Sequence, residues 1–196
     1  MEPLNAKLLD TRAPVVRRLN FGCGGVVAPG WSNYDVRGRP GVTLPDKRDE
    51  WGRPLLPYPD DTFDVVVANH SLCAIEQREV PHTLGEIRRV LKAGGVARII
   101  VPDILAAFNA WSVGDLAWFP TREVAQVDEA FSLYVTWFSE NRSIFMGRYL
   151  LQLVQDAQLE ARLVSANHSY GGEAACELDS RFNESLFVEG LKVHGT

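Results

Sequence analysis

Runs of apolar residues alternate along the chain with polar, glycine-rich and proline-rich stretches. The run Phe63–Ala68 is continuous, and it has the length and composition of a strand that is buried on both faces of a sheet. The stretch Pro45–Asp61 is rich in charge and proline, which predicts a loop. Six further segments predict strands: Val15–Phe21, Trp31–Asp35, Gly41–Leu44, Val96–Val101, Leu159–Val164 and Ser185–Val193.

Helical spacing of apolar residues marks a helix in the middle of the chain. From Val80 to Leu91 the apolar residues recur every three or four positions, and Gly94-Gly95 follows as a left-handed cap that would end the helix. The order of strands and helix predicts an α/β fold, in which helices flank a mostly parallel sheet.

The first crossover of this sheet is expected to be short. Between Gly25 and Trp31 there is room for only a turn, whereas a parallel crossover usually contains a helix. With 196 residues, of which 46% are hydrophobic, the chain is expected to form a single domain over residues 1–196.

Aromatic residues concentrate between Phe108 and Tyr149, where ten of the chain's nineteen lie. Two helices are predicted in this segment, with Thr121 and Ser143 as their N-caps, and the first would bury residues that include Phe138. Aromatic stripes at helical spacing usually belong to a hydrophobic core, which is the favoured interpretation. The alternative is that residues 104–150 form a helical insertion or lid on the side where an acceptor binds.

Charge and cysteine content exclude several classes of protein. The net charge of −5 and the pI near 5.4 argue against a general nucleic-acid or acidic-membrane surface, although the early arginines and Lys47 leave a local basic patch open. Cys23, Cys73 and Cys176 are far apart, and they predict neither a disulfide framework nor a metal site. No stretch reaches the roughly 18 consecutive apolar residues that span a bilayer, so we expect a cytoplasmic protein without membrane contacts.

The candidate chemistry begins at the glycine-rich stretch Leu19–Gly25. It follows the first predicted strand, and thirteen residues after Gly22 the second strand ends at Asp35. Glycines allow a tight turn and a close approach of ligand atoms to the backbone, and a carboxylate in this place accepts hydrogen bonds from a ribose diol. The pattern indicates a nucleotide-binding crevice. The alternative is that the side chain of Asp35 only caps a turn.

Together with two later blocks, this stretch resembles the class I S-adenosylmethionine-dependent methyltransferases. The first block consists of Leu19–Gly24 and Gly30–Asp35, the second is Leu56–Val66, and the third is Glu86–Gly95, which Val101–Asp103 follows. The resemblance implies a Rossmann-like methyltransferase fold that binds S-adenosylmethionine and needs no metal ion.

The resemblance also assigns one end of the cofactor to individual residues. Its methionine part would lie against Phe21, Gly22, Cys23 and Gly24, whose backbone groups would approach the amino and carboxylate groups. The ribose hydroxyls would bind Asp35.

The adenine and methyl ends of the cofactor have more than one candidate partner. Asp46 and Asp49 compete for the adenine amino group, with Trp51 as a neighbour of the ring. Asn69 and His70 follow the buried strand and would lie near the sulfonium and its methyl group. In the alternative interpretation both carboxylates are solvated, and His70 is a buried histidine with satisfied hydrogen bonds.

The chain departs from the family where a proton-accepting pair is often found. Family members often read His-x-Leu-Glu-His at the end of this strand, and here the residues are His70-Ser71-Leu72-Cys73-Ala74. Transfer of a methyl group depends mainly on positioning and exclusion of water, but a hydroxyl nucleophile gains from a general base. The remaining candidates for a catalytic base are His70, Asp103 and His168.

The expected function is methyl transfer to an oxygen or nitrogen of a small-molecule or glycan-like acceptor. The alternative is a catalytically inactive module that binds S-adenosylmethionine, which the altered segment Leu72–Ala74 and the short first crossover favour. A nucleic-acid methyltransferase is disfavoured by the acidic charge and by the lack of an Asn/Asp-Pro-Pro-Tyr tetrad.

Overall fold

In the part of the chain that the structure describes, six strands form the central sheet and two further strands form a separate hairpin. The computed structural model describes residues 16–121, 123–137 and 140–193. The strands are β1 (Arg18–Phe21), β2 (Ser32–Tyr34), β3 (Lys47–Arg48), β4 (Pro54–Leu55), β5 (Phe63–Asn69), β6 (Leu91–Pro102), β7 (Glu160–Val164) and β8 (Ser185–Leu191).

The sheet has the strand order β2-β1-β5-β6-β8-β7. Neighbouring strands from β2 to β6 are parallel, and β8 runs antiparallel to both β6 and β7. The chain leaves β1 toward β2 on one side and returns to β5 on the other, so the strand order reverses between β1 and β5. In α/β sheets, ligands bind at the carboxyl ends of the strands beside such a reversal. The predicted mostly parallel α/β sheet is confirmed.

The first and the last of the helices cover one face of the sheet. The helices are α1 (Val80–Val90), α2 (Ile104–Ser112), α3 (Val127–Thr136) and α4 (Gly147–Asp156). Leu84 and Ile87 of α1 pack with Leu150 and Val154 of α4 in one buried cluster that includes Val66 of the central strand β5. In the described part of the chain, none of the helices is long and apolar enough to cross a membrane.

The other face of the sheet is covered without a first crossover helix. Residues 22–31, all of which are described, form turns and no helix. Trp31 from this segment packs in a buried cluster with Val65, Val67 and Phe187, which lie on the face opposite to Val66 because side chains alternate along a strand. The predicted shortening of the first crossover is confirmed.

The aromatic segment folds mainly as a small hydrophobic core of its own. Phe119 and Tyr134 are buried and pack with Ala107 and Ala110 of α2 and Ala130 of α3. The favoured core interpretation is therefore confirmed for these two aromatic residues. The predicted residue Phe138 lies outside the described residues.

The end of α1 differs from the prediction. The helix ends at Val90, and Leu91 is already extended and pairs with Phe63 of β5. Gly94 has a left-handed backbone, but it lies inside β6, where its N–H donates to the carbonyl of Lys192 at 2.7 Å. The helix therefore ends about one turn before the two glycines, because Leu91 adopts an extended backbone and pairs with β5 instead of continuing the helix.

Both predicted N-caps in the aromatic segment are wrong. The helix α3 begins after Gln126 rather than Thr121, and α4 begins after Met146 rather than Ser143. The hydroxyl of Ser143 instead donates to the carbonyl of Ile75 at 2.5 Å, which ties the chain before α4 to the segment that follows β5.

Two strand predictions and one loop prediction also need correction. The segment Gly41–Leu44 makes only a single bridge, between Thr43 and Tyr34, and forms no strand. The predicted loop Pro45–Asp61 contains the hairpin of β3 and β4. The last strand ends at Leu191, two residues before its predicted end, and the predicted start of the first strand at Val15 lies outside the described residues.

Candidate functional site

A glycine loop follows β1 and presses against the end of β5. Gly22 and Gly24 both have left-handed backbone, with φ of +63° and +52°. A Cβ built at Gly22 would lie 2.3 Å from the Cβ of Ser71, whereas one built at Gly24 would have nothing within 4 Å. Position 22 therefore needs glycine for both packing and conformation, and position 24 needs it for conformation alone.

Asp35 follows β2 and braces this loop. The residue is 8% exposed, one carboxylate oxygen accepts from the N–H of Gly24 at 2.8 Å, and the other accepts from the N–H of Arg37 at 2.8 Å. Each carboxylate oxygen has a second lone pair, so Asp35 can still accept hydrogen bonds from a ligand's hydroxyl groups. The turn-capping role and the binding role are thus compatible in one residue.

Two clefts open at this edge of the sheet and meet at Gly22 and His70, which line both. The first cleft has a volume of about 560 Å³ and extends past Asp35; the second has a volume of about 340 Å³ and extends toward the chain before β8. The first cleft is lined by Phe21, Gly24, Arg37, Ile75, Glu140 and Arg142. The second cleft is lined by Cys23, Val26, Asn69, Glu177, Ser180 and Arg181.

His70 lies where the two clefts meet. Its backbone is left-handed, with φ of +52°, its Nε2 is 2.9 Å from the hydroxyl of Ser185, and its ring lies 5.7 Å from the ring of Trp137. Burial, together with the positive charge of Arg181, lowers the pKa of His70 to about 4. The imidazole is therefore neutral near pH 7. Its Nδ1 is buried and has no hydrogen-bond partner among the described residues.

The depressed pKa of His70 predicts an acid-sensitive contribution to stability. Unfolding returns the pKa from about 4 to 6.5, so the unfolded chain binds the proton first as the pH falls. The contribution of neutral His70 to the free energy of unfolding is complete above pH 6.5. It is lost as the pH falls from 6.5 to about 4, and the total loss is about 3 kcal/mol. Urea unfolding of the wild type and of His70→Asn, which tolerates the left-handed backbone, should show a steeper loss with acid in the wild type. Parallel pH profiles would contradict this assignment.

Asn69 ties the end of β5 to the chain before β8. Its side-chain amide donates to the carbonyl of Leu178 at 2.6 Å and to the hydroxyl of Ser180 at 2.9 Å. It therefore lines the second cleft and shapes its far wall at the same time.

The predicted adenine-binding residues lie elsewhere. Asp46 is exposed and lines neither cleft. Asp49 closes the β3–β4 hairpin, because its carboxylate accepts from the N–H groups of Trp51 and Arg53 and from the Arg53 guanidinium. Trp51 is 70% exposed, with that guanidinium 4.6 Å from its ring. The structure does not bring these three residues to the clefts.

Of the three predicted bases, the structure brings only His70 to the clefts. Asp103 is the N-cap of α2, where its carboxylate accepts from the N–H of Ala106 at 3.0 Å. The ring of His168 packs against Tyr170, and its carbonyl accepts from Arg98. Neither Asp103 nor His168 lines either cleft.

A buried ion network holds the wall of the second cleft, and sequence reasoning missed it. Arg98 lies in the middle of β6 and is fully buried. It binds Asp179 with two hydrogen bonds of 2.6 Å each and Glu189 of β8 at 2.8 Å, and it donates to the carbonyls of Ser165 and His168. An arginine inside an otherwise apolar strand was the available signal, since a buried charge needs partners.

The aromatic segment reaches the clefts through its last residues. Trp137 ends α3 beside His70, and Glu140 and Arg142 line the first cleft. The carboxylate of Glu140 lies 3.5 Å from the guanidinium of Arg37, which lines the same cleft but belongs to the chain after β2. These contacts place the end of the helical segment over the first cleft, while its aromatic core lies apart.

The comparisons with known proteins agree with this architecture. Residues 51–99 match a family model described as a methyltransferase domain. A solved S-adenosylmethionine-dependent methyltransferase from Archaeoglobus fulgidus is 11% identical, with 90% of this chain and 86% of that chain covered and a TM-score of 0.55. The chain has the class I methyltransferase fold. The matched residues of this fold run from the β3–β4 hairpin through β5 and α1 into β6.

Two other solved structures share the methyltransferase fold. A protein from Thermotoga maritima, described as a possible histamine N-methyltransferase, is 17% identical, with 92% of this chain and 84% of that chain covered and a TM-score of 0.54. The YcgJ protein of Bacillus subtilis is 13% identical, with 92% and 94% covered and a TM-score of 0.51. No curated protein matches the chain.

Proposed function

We propose that this protein is an S-adenosylmethionine-dependent methyltransferase that acts on an oxygen or nitrogen of a small-molecule or glycan-like acceptor. One observation carries the proposal. In a methyltransferase fold, a glycine loop and a buried carboxylate converge on a cleft at the point where the strand order reverses.

The residues of the first cleft fit this cofactor. Its volume of about 560 Å³ is within the usual range of small-molecule sites. Gly22 packs against Ser71 and so fixes the course of the loop beside the cleft, and Asp35 keeps lone pairs for the ribose hydroxyls. Phe21 lines the same cleft and would hold the methionine part, whereas Cys23 belongs to the loop but lines the second cleft.

The chemistry then requires little of the protein beyond placement. S-adenosylmethionine supplies an electrophilic methyl group on a sulfonium. Gly22 and His70 lie where the clefts meet, so the acceptor would occupy the second cleft and approach from there. The neutral imidazole of His70 adds no positive charge beside a sulfonium. The ring of Trp137 lies against the imidazole and would help to exclude water from this place.

Loss of the Asp35 carboxylate should weaken cofactor binding. We expect Asp35→Ala to reduce the affinity for S-adenosylhomocysteine by a factor of about ten or more, because the ribose loses its acceptor and the loop loses its brace. Calorimetric titration measures this effect, and Asp46→Ala is the matched control because Asp46 is an exposed carboxylate outside both clefts. Equal affinities of wild type and Asp35→Ala in folded protein would contradict the placement.

A module that binds the cofactor without turnover is the alternative function. The shortage of a catalytic base favours this alternative, since His70 is the only one of the three predicted bases that reaches the clefts, and its Nδ1 is buried. Incubation with S-adenosylmethionine and a panel of hydroxyl, amine and carboxylate acceptors distinguishes the two functions. Binding without formation of S-adenosylhomocysteine would favour the module.

A further inference from the structure

Arg181 is a basic residue of the second cleft, and its ion pair with Glu184 is long. It lines this cleft beside His70, and its guanidinium lies 4.3 Å from the ring of Trp137, which in turn lies against the ring of His70. The facing carboxylate of Glu184 is 3.6 Å away, beyond normal hydrogen-bond distance. The side chain of Arg181 is 42% exposed, so a ligand in the cleft can reach it.

The acidic residues of the same cleft each have a basic partner, although Arg98 is shared between Asp179 and Glu189. Glu177 binds the guanidinium of Arg18 and accepts from the indole N–H of Trp31 at 3.1 Å. Asp179 is buried and bound by two hydrogen bonds to Arg98. Their charges therefore have nearby partners, whereas the contact between Arg181 and Glu184 is long.

The electrostatic environment of His70 points the same way. Burial lowers the pKa of His70, and the positive charge of Arg181 adds to this effect. Burial disfavours a charge of either sign, so the preference for a negative group over a protonated amine at this place comes from the smaller effect of Arg181.

We propose that the acceptor carries a carboxylate that binds Arg181 in the second cleft and receives the methyl group on oxygen. This deepens the proposed function and rests on it. A carboxylate oxygen forms the new bond to carbon while the carbon–sulfur bond breaks and leaves its electron pair on sulfur. The products are a neutral methyl ester and S-adenosylhomocysteine. No proton has to be removed, so the reaction needs none of the acid–base residues that the chain lacks at Cys73 and Ala74.

The test compares three probes of similar shape and different charge. Benzoate, benzamide and benzylamine are titrated calorimetrically into the wild-type protein that is saturated with S-adenosylhomocysteine. Benzoate should bind on the order of tenfold more tightly than benzamide, and benzylamine should bind most weakly. Equal affinities for benzoate and benzamide, preference for benzylamine, or no measurable binding of benzoate would each overturn the proposal.

A matched pair of arginine variants localises the effect. Arg181→Gln should weaken benzoate on the order of tenfold, and Arg181→Lys should restore part of this loss. Arg162→Gln is the control, because Arg162 also pairs with a carboxylate, Glu160, and lies 4.9 Å from an aromatic ring, that of Tyr170, but it lines neither cleft.

The affinity for S-adenosylhomocysteine distinguishes failure of the acceptor assignment from failure of the proposed function. It should be unchanged in Arg181→Gln, because Arg181 is assigned to the acceptor. A parallel loss of S-adenosylhomocysteine affinity would place Arg181 at the cofactor's own carboxylate and overturn the acceptor assignment. Failure of the wild-type protein to bind S-adenosylhomocysteine would overturn the proposed function itself.

Discussion

Replacement of Arg98 by methionine is expected to lower the free energy of unfolding by about 3–5 kcal/mol. The substitution keeps an apolar side chain in β6 but leaves the carboxylates of Asp179 and Glu189 buried without their cation. It also removes the donors to the carbonyls of Ser165 and His168. The chain between β7 and β8 would lose one of its attachments to the sheet, which would loosen the wall of the second cleft, while the hydrogen bonds from Asn69 would remain.

Urea denaturation measures this effect, and an exposed arginine provides the control. Arg162→Met also removes an ion pair, with Glu160, but at a half-exposed site, so its cost should stay within about 1 kcal/mol. Equal stabilities of Arg98→Met and wild type would show that the network contributes no net stability.

The second large effect is expected at the glycine loop. Gly22→Ala should reduce the affinity for S-adenosylhomocysteine on the order of a hundredfold, because its Cβ would lie 2.3 Å from the Cβ of Ser71 and the loop would have to move. Gly24→Ala is the matched control, since its new Cβ meets nothing within 4 Å. Gly24→Ala should weaken the free energy of S-adenosylhomocysteine binding by only about 1 kcal/mol, because alanine is strained in a left-handed backbone.

A double variant separates the two causes. Ser71→Gly removes the Cβ that a new Cβ at Gly22 would meet. In that background, Gly22→Ala should reduce the affinity for S-adenosylhomocysteine no more than Gly24→Ala does. Calorimetry measures affinity, and circular dichroism checks that each variant folds. Equal losses for both single alanine variants would indicate that backbone conformation, and not the contact with Ser71, controls the loop.

The fold was predictable where local pattern and tertiary pairing agree. The apolar run at Phe63–Ala68 became the central strand β5, and the short interval between Gly25 and Trp31 left no room for a crossover helix. The pattern failed at the end of α1, because Leu91 fits a helix by spacing but pairs with Phe63 in the sheet. Helical spacing alone contains no information about such a competing strand.

The candidate site was predictable for the residues that follow β1, β2 and β5. Gly22, Asp35 and His70 come together because the carboxyl ends of parallel neighbours share one edge of the sheet. The position of Arg181 in the second cleft was not visible, because this residue reaches the cleft from the chain before β8, far away in sequence. For the same reason, no spacing rule could show that Asn69 binds Leu178.

A crystal structure with S-adenosylhomocysteine tests the central claim most directly. We predict that the ribose hydroxyls bind Asp35 in the first cleft, that the methionine part lies along Phe21–Gly24, and that the sulfur faces the junction at Gly22 and His70. A ligand bound elsewhere, or a ribose without contact to Asp35, would contradict the assignment of this loop as the cofactor site.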